Sequence, residues 1–458
     1  MNQAIKESAI APESLVSVSL NSEEVCETRF EQRSIPVSPL RQQISLELHN
    51  RPSPKVGIPT CVSHLAIRVN LEQRQREYQH LSAFCHRYSV NPPCIDAGCF
   101  FQDFGGFELR WERHLEFSTY SFIRKGQGKQ LFDGYGTQRV PQDWFDELVG
   151  ELICAINLTF TKDELSEREI YQAFEGQQVI GSLVADGRAR VYSSFRLHSD
   201  GFSRTIIQSE KLNSYQAGRL IQRTLEIETY QMLALLSLPI ARELSPKVSQ
   251  MESELVALNQ QMANLSQHDD SEMLDKLSNL AGQTEQLIAD ISYRFSATNA
   301  YYALVCARLE QLKEQDITGV ERINEFVTRR LNPGIRTCQA LTQRLEDLTR
   351  RIARASSLLR TRVDLSIEQQ NQQLLHAINQ RGKIQLRLQQ MVEGVSVAAM
   401  AYYLMGLLEY ILNALNANGY QFNKLMLKGV AVPVFLFFAW WLLRFAMGYI
   451  RKEPERPL

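Results

Sequence analysis

GVSVAAMAYYLMGLLEYILNAL, residues 394–415, and GVAVPVFLFFAWWLLRFAMGYI, residues 429–450, are two apolar runs joined by a short polar loop. Glu409 is the only charge in the first run, and Arg444 the only charge in the second. A bilayer core about 30 Å thick is crossed by roughly 20 apolar helical residues, a length both runs reach. The reading is a C-terminal two-helix transmembrane hairpin, with most of the chain on one side of the lipid bilayer. Charge decides which side. Arg381, Lys383 and Arg387 precede the first run, and Arg451, Lys452 and Arg456 follow the second, whereas the loop holds only Lys424 and Lys428. The positive-inside bias therefore puts both chain ends in the cytoplasm. The first thirty residues contain no continuous apolar stretch of the kind a secretory signal needs.

Upstream of the first run the pattern is helical back to about residue 213. Leu341, Leu345, Leu348, Ile352, Ala355 and Leu359 form a seam at three-and-four spacing, which predicts one long helix from 335 to the membrane. Asn332, Pro333 and Gly334 are expected to break it from a preceding helical unit that starts near Tyr301. Val248, Met251, Leu255, Leu258, Met262 and Leu265 repeat the spacing, as do Met273, Leu277, Leu280, Thr284, Leu287 and Ile291. The polar turn 266–271 between them predicts an antiparallel coiled-coil hairpin over 248–291, a surface for a protein partner. Pro239 and Pro246 are expected to kink or interrupt the helix entering it.

Residues 60–207 alternate between strand and helix patterns, as in an α+β or α/β domain. Strands are expected at 61–69, 100–104, 107–116, 117–123, 151–160, 179–184, 189–197 and 203–208, and helices at 71–88, 141–148 and 162–174. Before them, Ser38 and Pro39 suit the start of a short helix to His49, and residues 1–37 read as a disordered leader. The organisation is thus a leader 1–37, a cytoplasmic α/β domain 38–210, a helical stalk 211–392, a transmembrane hairpin 393–450 and a tail 451–458.

The net charge of −1 over 458 residues argues against binding nucleic acid in bulk. The eight cysteines are scattered, as expected of reduced thiols in a cytoplasmic domain. Cys85, His86, Cys94 and Cys99 lack a paired Cys-x-x-Cys and read as small residues around the Pro92–Pro93 turn, not as a metal site. No phosphate loop, dinucleotide fingerprint, nucleophile elbow or zinc-protease motif is present, and no cofactor is implied. Two strand-like stretches concentrate polar groups. Alternation places Glu108, Arg110, Glu112, His114 and Glu116 on one face, and Arg190, Tyr192, Ser194, Arg196 and His198 on another, with Asp200 just beyond. Were the two strands neighbours, they would form a polar site for a ligand or a metal. Otherwise each is a face laced with ion pairs.

In the apolar runs, Glu409 lies about 22 Å into the first span and Arg444 about 9 Å from the cytoplasmic end of the second, so the two should not pair. Both suit interfacial anchoring. The alternative is a lumen between subunits, with Glu409 or Glu393 facing it and Gly394, Ala398, Tyr402 and Met405 on the same helical stripe as Glu409.

Leu48 to Pro52, GFELRWERHLEFSTYSFIR (106–124), RVYSSFRLHSDGFSR (190–204), AGRLIQRTLEIETY (217–230), SYRFSATNAYYALV (292–305) and VEGVSVAAMAYYL (392–404) resemble a bacterial family of membrane-anchored proteins known as domain of unknown function 3422. The resemblance implies a cytoplasmic α/β region, a helical stalk and a C-terminal membrane anchor, and the expected location is the bacterial inner membrane. It implies no activity. The architecture is also similar to CorA-type cation channels, but residues 416–424, NANGYQFNK, lack the Gly-Met-Asn signature those channels carry after the first span. The leading expectation is a non-enzymatic, homo-oligomeric scaffold or sensor. An oligomeric channel is second, and an enzyme using the polar sheet face third.

Overall fold

The computed structural model describes residues 53–126, 131–132, 135–264, 270–417 and 423–450, together with Ser38, Leu40, Arg41, Ile44 and Ser45. The leader, most of the expected 38–49 helix, the turn at 266–269 and the tail lie outside the described residues. Leu40, Arg41, Ile44 and Ser45 are helical.

In chain order the first elements are β1 (Thr60–Arg68), α1 (Arg74–Arg87), β2 (Cys99–Asp103), β3 (Glu108–Arg113) and β4 (Phe117–Lys125). A 3-10 turn (Gly136–Arg139), α2 (Gln142–Asp146), β5 (Glu151–Thr161), α3 (Glu167–Ala173), β6 (Ile180–Val184), β7 (Ala189–Ser193) and β8 (Ser203–Gln208) follow. Among the described residues the elements after these are helices: α4 (Ser214–Leu235), α5 (Ser237–Asn264), α6 (Asp270–Leu312), α7 (Ile323–Ala417) and α8 (Lys424–Ile450). The strands make one mixed sheet in the order β2-β3-β4-β1-β5-β8-β7-β6, antiparallel at every step but β5–β8.

The chain forms two compact units, one of Met1–Val248 with Leu287–Leu345, the other of Ser249–Gln286 with Glu346–Leu458. In the first, the sheet is buried on both faces. Leu65, Ile67, Leu109, Trp111, Tyr120 and Phe122 point to one side and pack with Leu81 and Phe84 of α1 and Trp144 of α2. Glu77 of α1 is buried there, its Oε1 accepting from Trp111 Nε1 and Tyr120 Oη at 3.1 Å each. The alternate residues Val62, Ala66, Phe117, Ile156, Leu158 and Phe160 pack with Leu220, Ile221 and Leu233 of α4, Val305 and Leu309 of α6, and Val327 and Leu331 of α7. Residues more than a hundred positions beyond the last strand thus complete the core. The link between α6 and α7 also covers the β6 edge. Gln315 N donates to Leu183 O at 2.7 Å, Leu183 N to Gln315 O at 3.0 Å and Gly181 N to Glu321 O at 3.0 Å, while Ser182 Oγ accepts from Ile323 N at the start of α7.

In the second unit Met251, Leu255 and Leu258 of α5, Met273, Leu277 and Leu280 of α6, and Leu348, Ile352, Ala355 and Leu359 of α7 are buried, so the predicted seams face inward. Near the end of that packing Arg362 donates to Met262 O at 2.9 Å. The α7 residues 371–392 are all exposed. Two helices, α7 and α8, are long and apolar enough to cross a membrane.

Three expectations about the helices need correction. The break at 332–334 does not occur, because α7 runs through Pro333. Tertiary packing holds it there: Leu331 and Ile335 are buried on either side, and Gly334 approaches α4 and α5 so closely that a Cβ would sit 2.9 Å from Leu235 Cδ2. No helical unit starts near Tyr301, which lies inside the unbroken α6. The helix ahead of the expected hairpin is interrupted at Leu236, whereas Pro246 sits inside α5.

Gly218 of α4 yields the first prediction. An added Cβ would lie 1.7 Å from Pro54 O, a backbone atom that cannot step aside alone. Alanine ordinarily stabilises a helix interior by about 1 kcal/mol over glycine, but overpacking here reverses the sign and costs roughly 1–3 kcal/mol or more. Thermal unfolding of Gly218→Ala should show a lower midpoint than the parent. An equal or higher midpoint would mean that the contact with Pro54 is not held.

Candidate functional site

Part of the anticipated polar face gathers under α4. On β3, Leu109 and Trp111 enter the aromatic core, so Arg110 and Glu112 must turn to the opposite side. Arg110 Nη2 lies 2.8 Å from Glu112 Oε1, with both side chains largely buried. With His64 of β1, Thr119 and Ser121 of β4 and Thr229 of α4, they line a cavity of about 50 Å³. That is room for a few waters, against roughly 300 Å³ or more in small-molecule sites.

His64 is held at both ring nitrogens, Nδ1 2.7 Å from Ser121 Oγ and Nε2 3.3 Å from Thr229 Oγ1. Burial drives its pKa down to about 4; Glu112 opposes the fall, while His114 and Arg110 add to it. The imidazole is therefore neutral at pH 7. It donates one hydrogen bond and accepts one, and each hydroxyl suits either role.

The rest of that stretch is placed differently from the expectation. Glu108 pairs with Lys125 at 2.7 Å. The strand stops at Arg113, so His114 and Glu116 fall in the β3–β4 turn. His114 stacks on Phe117 at 4.2 Å between ring centroids, and Glu116 accepts two hydrogen bonds from Arg294 of α6, at 2.6 and 2.9 Å. That buried bidentate pair fixes the turn.

The second polar stretch is not a neighbour of the first, because β4, β1, β5 and β8 stand between β3 and β7. No single site joins them. Nor does β7 extend to Leu197. Ser193 Oγ accepts from Phe195 N at 3.2 Å and Ser194 Oγ from Arg196 N at 3.4 Å, side-chain bonds that replace the ladder. His198 lies 3.0 Å from Ser194 Oγ through Nε2 and 3.3 Å from Glu175 Oε2 through Nδ1. Burial lowers the pKa of His198, and Arg204 adds to the fall. Glu175 also binds Ser199 Oγ at 2.9 Å and Arg204 at 2.8 Å, and Arg204 reaches Asp200 at 3.4 Å. Serine, histidine and carboxylate stand in the order a nucleophile, base and orienting group require. Ser194 is only 1% exposed, however, and the His198 side chain 0%, so no substrate carbonyl reaches Oγ. The chain of bonds ties the 194–204 loop to Glu175. Arg190 pairs with Glu164 at 3.5 Å, and Arg196 is exposed.

In the apolar segments, Glu409 Oε1 is 2.6 Å from Lys428 Nζ, a contact that joins α7 to α8. Arg444 lies over the Trp440 ring, 5.1 Å from its centroid. Gly394 has nothing within 4 Å of where a Cβ would stand, and Ala398 is exposed. Glu393 is half-buried. Among the described residues no group of three or more His, Cys, Asp or Glu is arranged to hold a metal.

A family model described as Protein of unknown function (DUF3422) matches residues 36–448. The chain belongs to this family. The match takes in the whole sheet, the long helices and nearly all of both apolar segments. No curated protein and no solved structure matches the chain.

Sequence reasoning did not single out His64, Thr229, Glu175 or Glu228. Glu228 of α4 is buried, and that burial raises its pKa to about 7. Its sign is opposite to that of His64. The His64 contribution is complete above pH 6.5 and is lost as pH falls towards 4; the Glu228 contribution is complete below pH 4.5 and is lost as pH rises through 7. Each shift is worth roughly 3 kcal/mol in full. Thermal unfolding across pH should show Glu228→Gln melting above the parent at pH 8 and converging with it near pH 4.5. His64→Gln should lose less stability than the parent between pH 6.5 and 4. Parallel pH profiles for parent and variants would contradict both assignments.

Proposed function

We propose that this chain is a membrane-anchored, non-enzymatic scaffold or sensor, its sheet in the cytoplasm and its end a two-helix hairpin in the bacterial inner membrane. The observation that carries the reading is α7. One uninterrupted helix holds Ile323, Val327, Leu331 and Ile335 in the sheet core near its start and the apolar segment 394–415 near its end. In this reading a single secondary-structure element carries both the residues that complete the sheet core and the apolar segment. The Glu409–Lys428 pair between α7 and α8 suits a hairpin, and the cationic flanks suit cytoplasmic ends. The segments around 248–291, taken as an antiparallel coiled coil, supply the surface for a protein partner. Enzymatic readings draw less support, given the small His64 cavity and the buried Ser194.

The exposed length of α7 also supports self-association. Ile367, Leu374, Ile378, Leu388 and Val392 are each more than half exposed and follow one helical stripe. A second copy of the chain offers the same stripe in register, and the interspersed Gln370, Arg381 and Gln385 would set that register at some cost in stability. A pore lined by first spans needs Glu409 to face the lumen, and its pairing with Lys428 weakens that alternative.

Light scattering on the detergent-solubilised full-length protein, corrected for bound detergent, is expected to give a dimer or small oligomer. Leu374→Glu with Ile378→Glu should lower the mass to one protomer. A monomeric parent would sink the self-association. A ring of four or more, with liposome flux abolished by Glu409→Gln, would replace the scaffold with a channel. Anchoring is tested separately: a chain ending at residue 392 should move from the membrane to the soluble fraction, and its retention would overturn the anchor.

A further inference from the structure

Beside the β6–β7 turn the molecule holds an excess of positive charge that neither the anchor nor the polar sheet face uses. Arg188 is the last residue of the turn, Arg219 and Arg223 project from α4, and Lys313 follows the end of α6; together they line a cleft of about 290 Å³ that opens to solvent. Among the described residues, Asp186 is the only carboxylate in the lining. It is shared, 3.3 Å from Lys313 Nζ and 3.6 Å from Arg188. Arg223 donates to a neutral acceptor, Gln311 O, at 3.3 Å. Arg219 is exposed and has no ion-pair partner among the described residues. Four cations against one carboxylate, in a chain whose net charge is −1, is a local concentration and not a general property of the surface.

The backbone is unusual at the same place. Ala185, Asp186 and Lys313 have φ of 55°, 57° and 50°, in the left-handed region that glycine enters without penalty. Each is strained relative to an ordinary conformation. Lys313 occupies the residue after a helix end, where glycine is the usual choice. The crowding of like charge shows on Arg223 too, whose pKa is lowered by burial and then by Arg219 and Arg308, with Glu226 opposing. A bound anion would reverse that repulsion. Arg188 also borders a second cleft of about 260 Å³ near the carboxyl ends of the parallel pair β5–β8, where Lys162, Arg190 and Lys211 stand with Glu164 and Glu210, and Glu164 pairs with Arg190. Ligands of open sheets favour that end of parallel strands.

We infer that the cleft formed by Arg188, Arg219, Arg223 and Lys313 binds a molecule carrying two or more phosphoryl groups. Planar guanidinium groups offer paired donors to phosphate oxygens, and the lysine adds a movable charge. The apolar Leu212 and Leu220 in the lining leave space for a non-polar part of the ligand. The site is independent of the membrane reading, since every residue in it belongs to the sheet-bearing unit.

The test is calorimetric titration of the full-length protein, in nanodiscs of zwitterionic lipid, with inorganic tripolyphosphate. Binding is expected, with affinity falling as salt rises. Arg219→Glu and Arg223→Gln should each weaken it by at least about tenfold, whereas Arg76→Glu on α1 should leave it unchanged. Arg219 is exposed, so its replacement leaves the fold intact, and unchanged thermal midpoints check this. Nanodiscs containing cardiolipin distinguish the source of the phosphoryl groups. A tenfold or greater loss of tripolyphosphate affinity there, absent in Arg219→Glu, assigns the site to a lipid headgroup, and unaltered affinity assigns it to a free phosphorylated molecule. No binding in zwitterionic nanodiscs, or binding that both cleft variants retain, overturns the proposal.

Discussion

An eight-stranded sheet with apolar side chains on both faces must be covered twice, and this chain supplies the second cover from far downstream. Short helices that alternate with the strands close one face. The other is closed by α4 and by parts of α6 and α7, whose Val305, Leu309, Val327 and Leu331 meet Val62, Ile156 and Phe160. Burying an aliphatic side chain is worth about 1.5–3 kcal/mol, so this face depends on residues that the strands never approach in sequence. The same need explains why α7 passes Pro333. A lost backbone hydrogen bond is offset where Leu331, Gly334 and Ile335 are held against α4 and α5.

The buried charges divide into three kinds. Glu116 is matched by Arg294 with two short bonds, and Arg110 by Glu112 with one. Glu77 is served by neutral donors, an indole and a phenol. Glu228 and His64 answer burial by changing protonation. The first two arrangements hold geometry, and the third makes stability depend on pH from both sides of neutrality.

Much of this was legible in the sequence, for reasons that can be named. The two apolar runs, the strand alternation and the seams on α5, α6 and α7 are local periodicities, and local periodicity survives in one dimension. Arg110 and Glu112 were found because alternation assigns a face. His64 sits on a strand of mostly apolar residues and gains meaning only when β1 is placed beside β4, which brings Ser121 opposite it. Glu175 and His198 are 23 residues apart, and they meet only because the β6–β7 hairpin folds back and the loop after β7 takes a course that no pattern announces. The supposed adjacency of the two polar strands failed on sheet order, which depends on pairings between distant segments. The Pro333 break failed because a local preference of a few kcal/mol was outweighed by tertiary packing.

The link between α6 and α7 has one more effect. By pairing with β6 it occupies Gly181 N and both backbone groups of Leu183 on the outer side of that strand, whereas β2 at the opposite end has no second strand neighbour among the described residues. A sheet with two open edges can add neighbours without limit, as a bifunctional monomer forms a polymer. With one edge blocked, the molecule behaves as a monofunctional one: two copies meeting edge to edge through β2 would end the chain at a pair, and growth into a fibril through this sheet has no second end to proceed from.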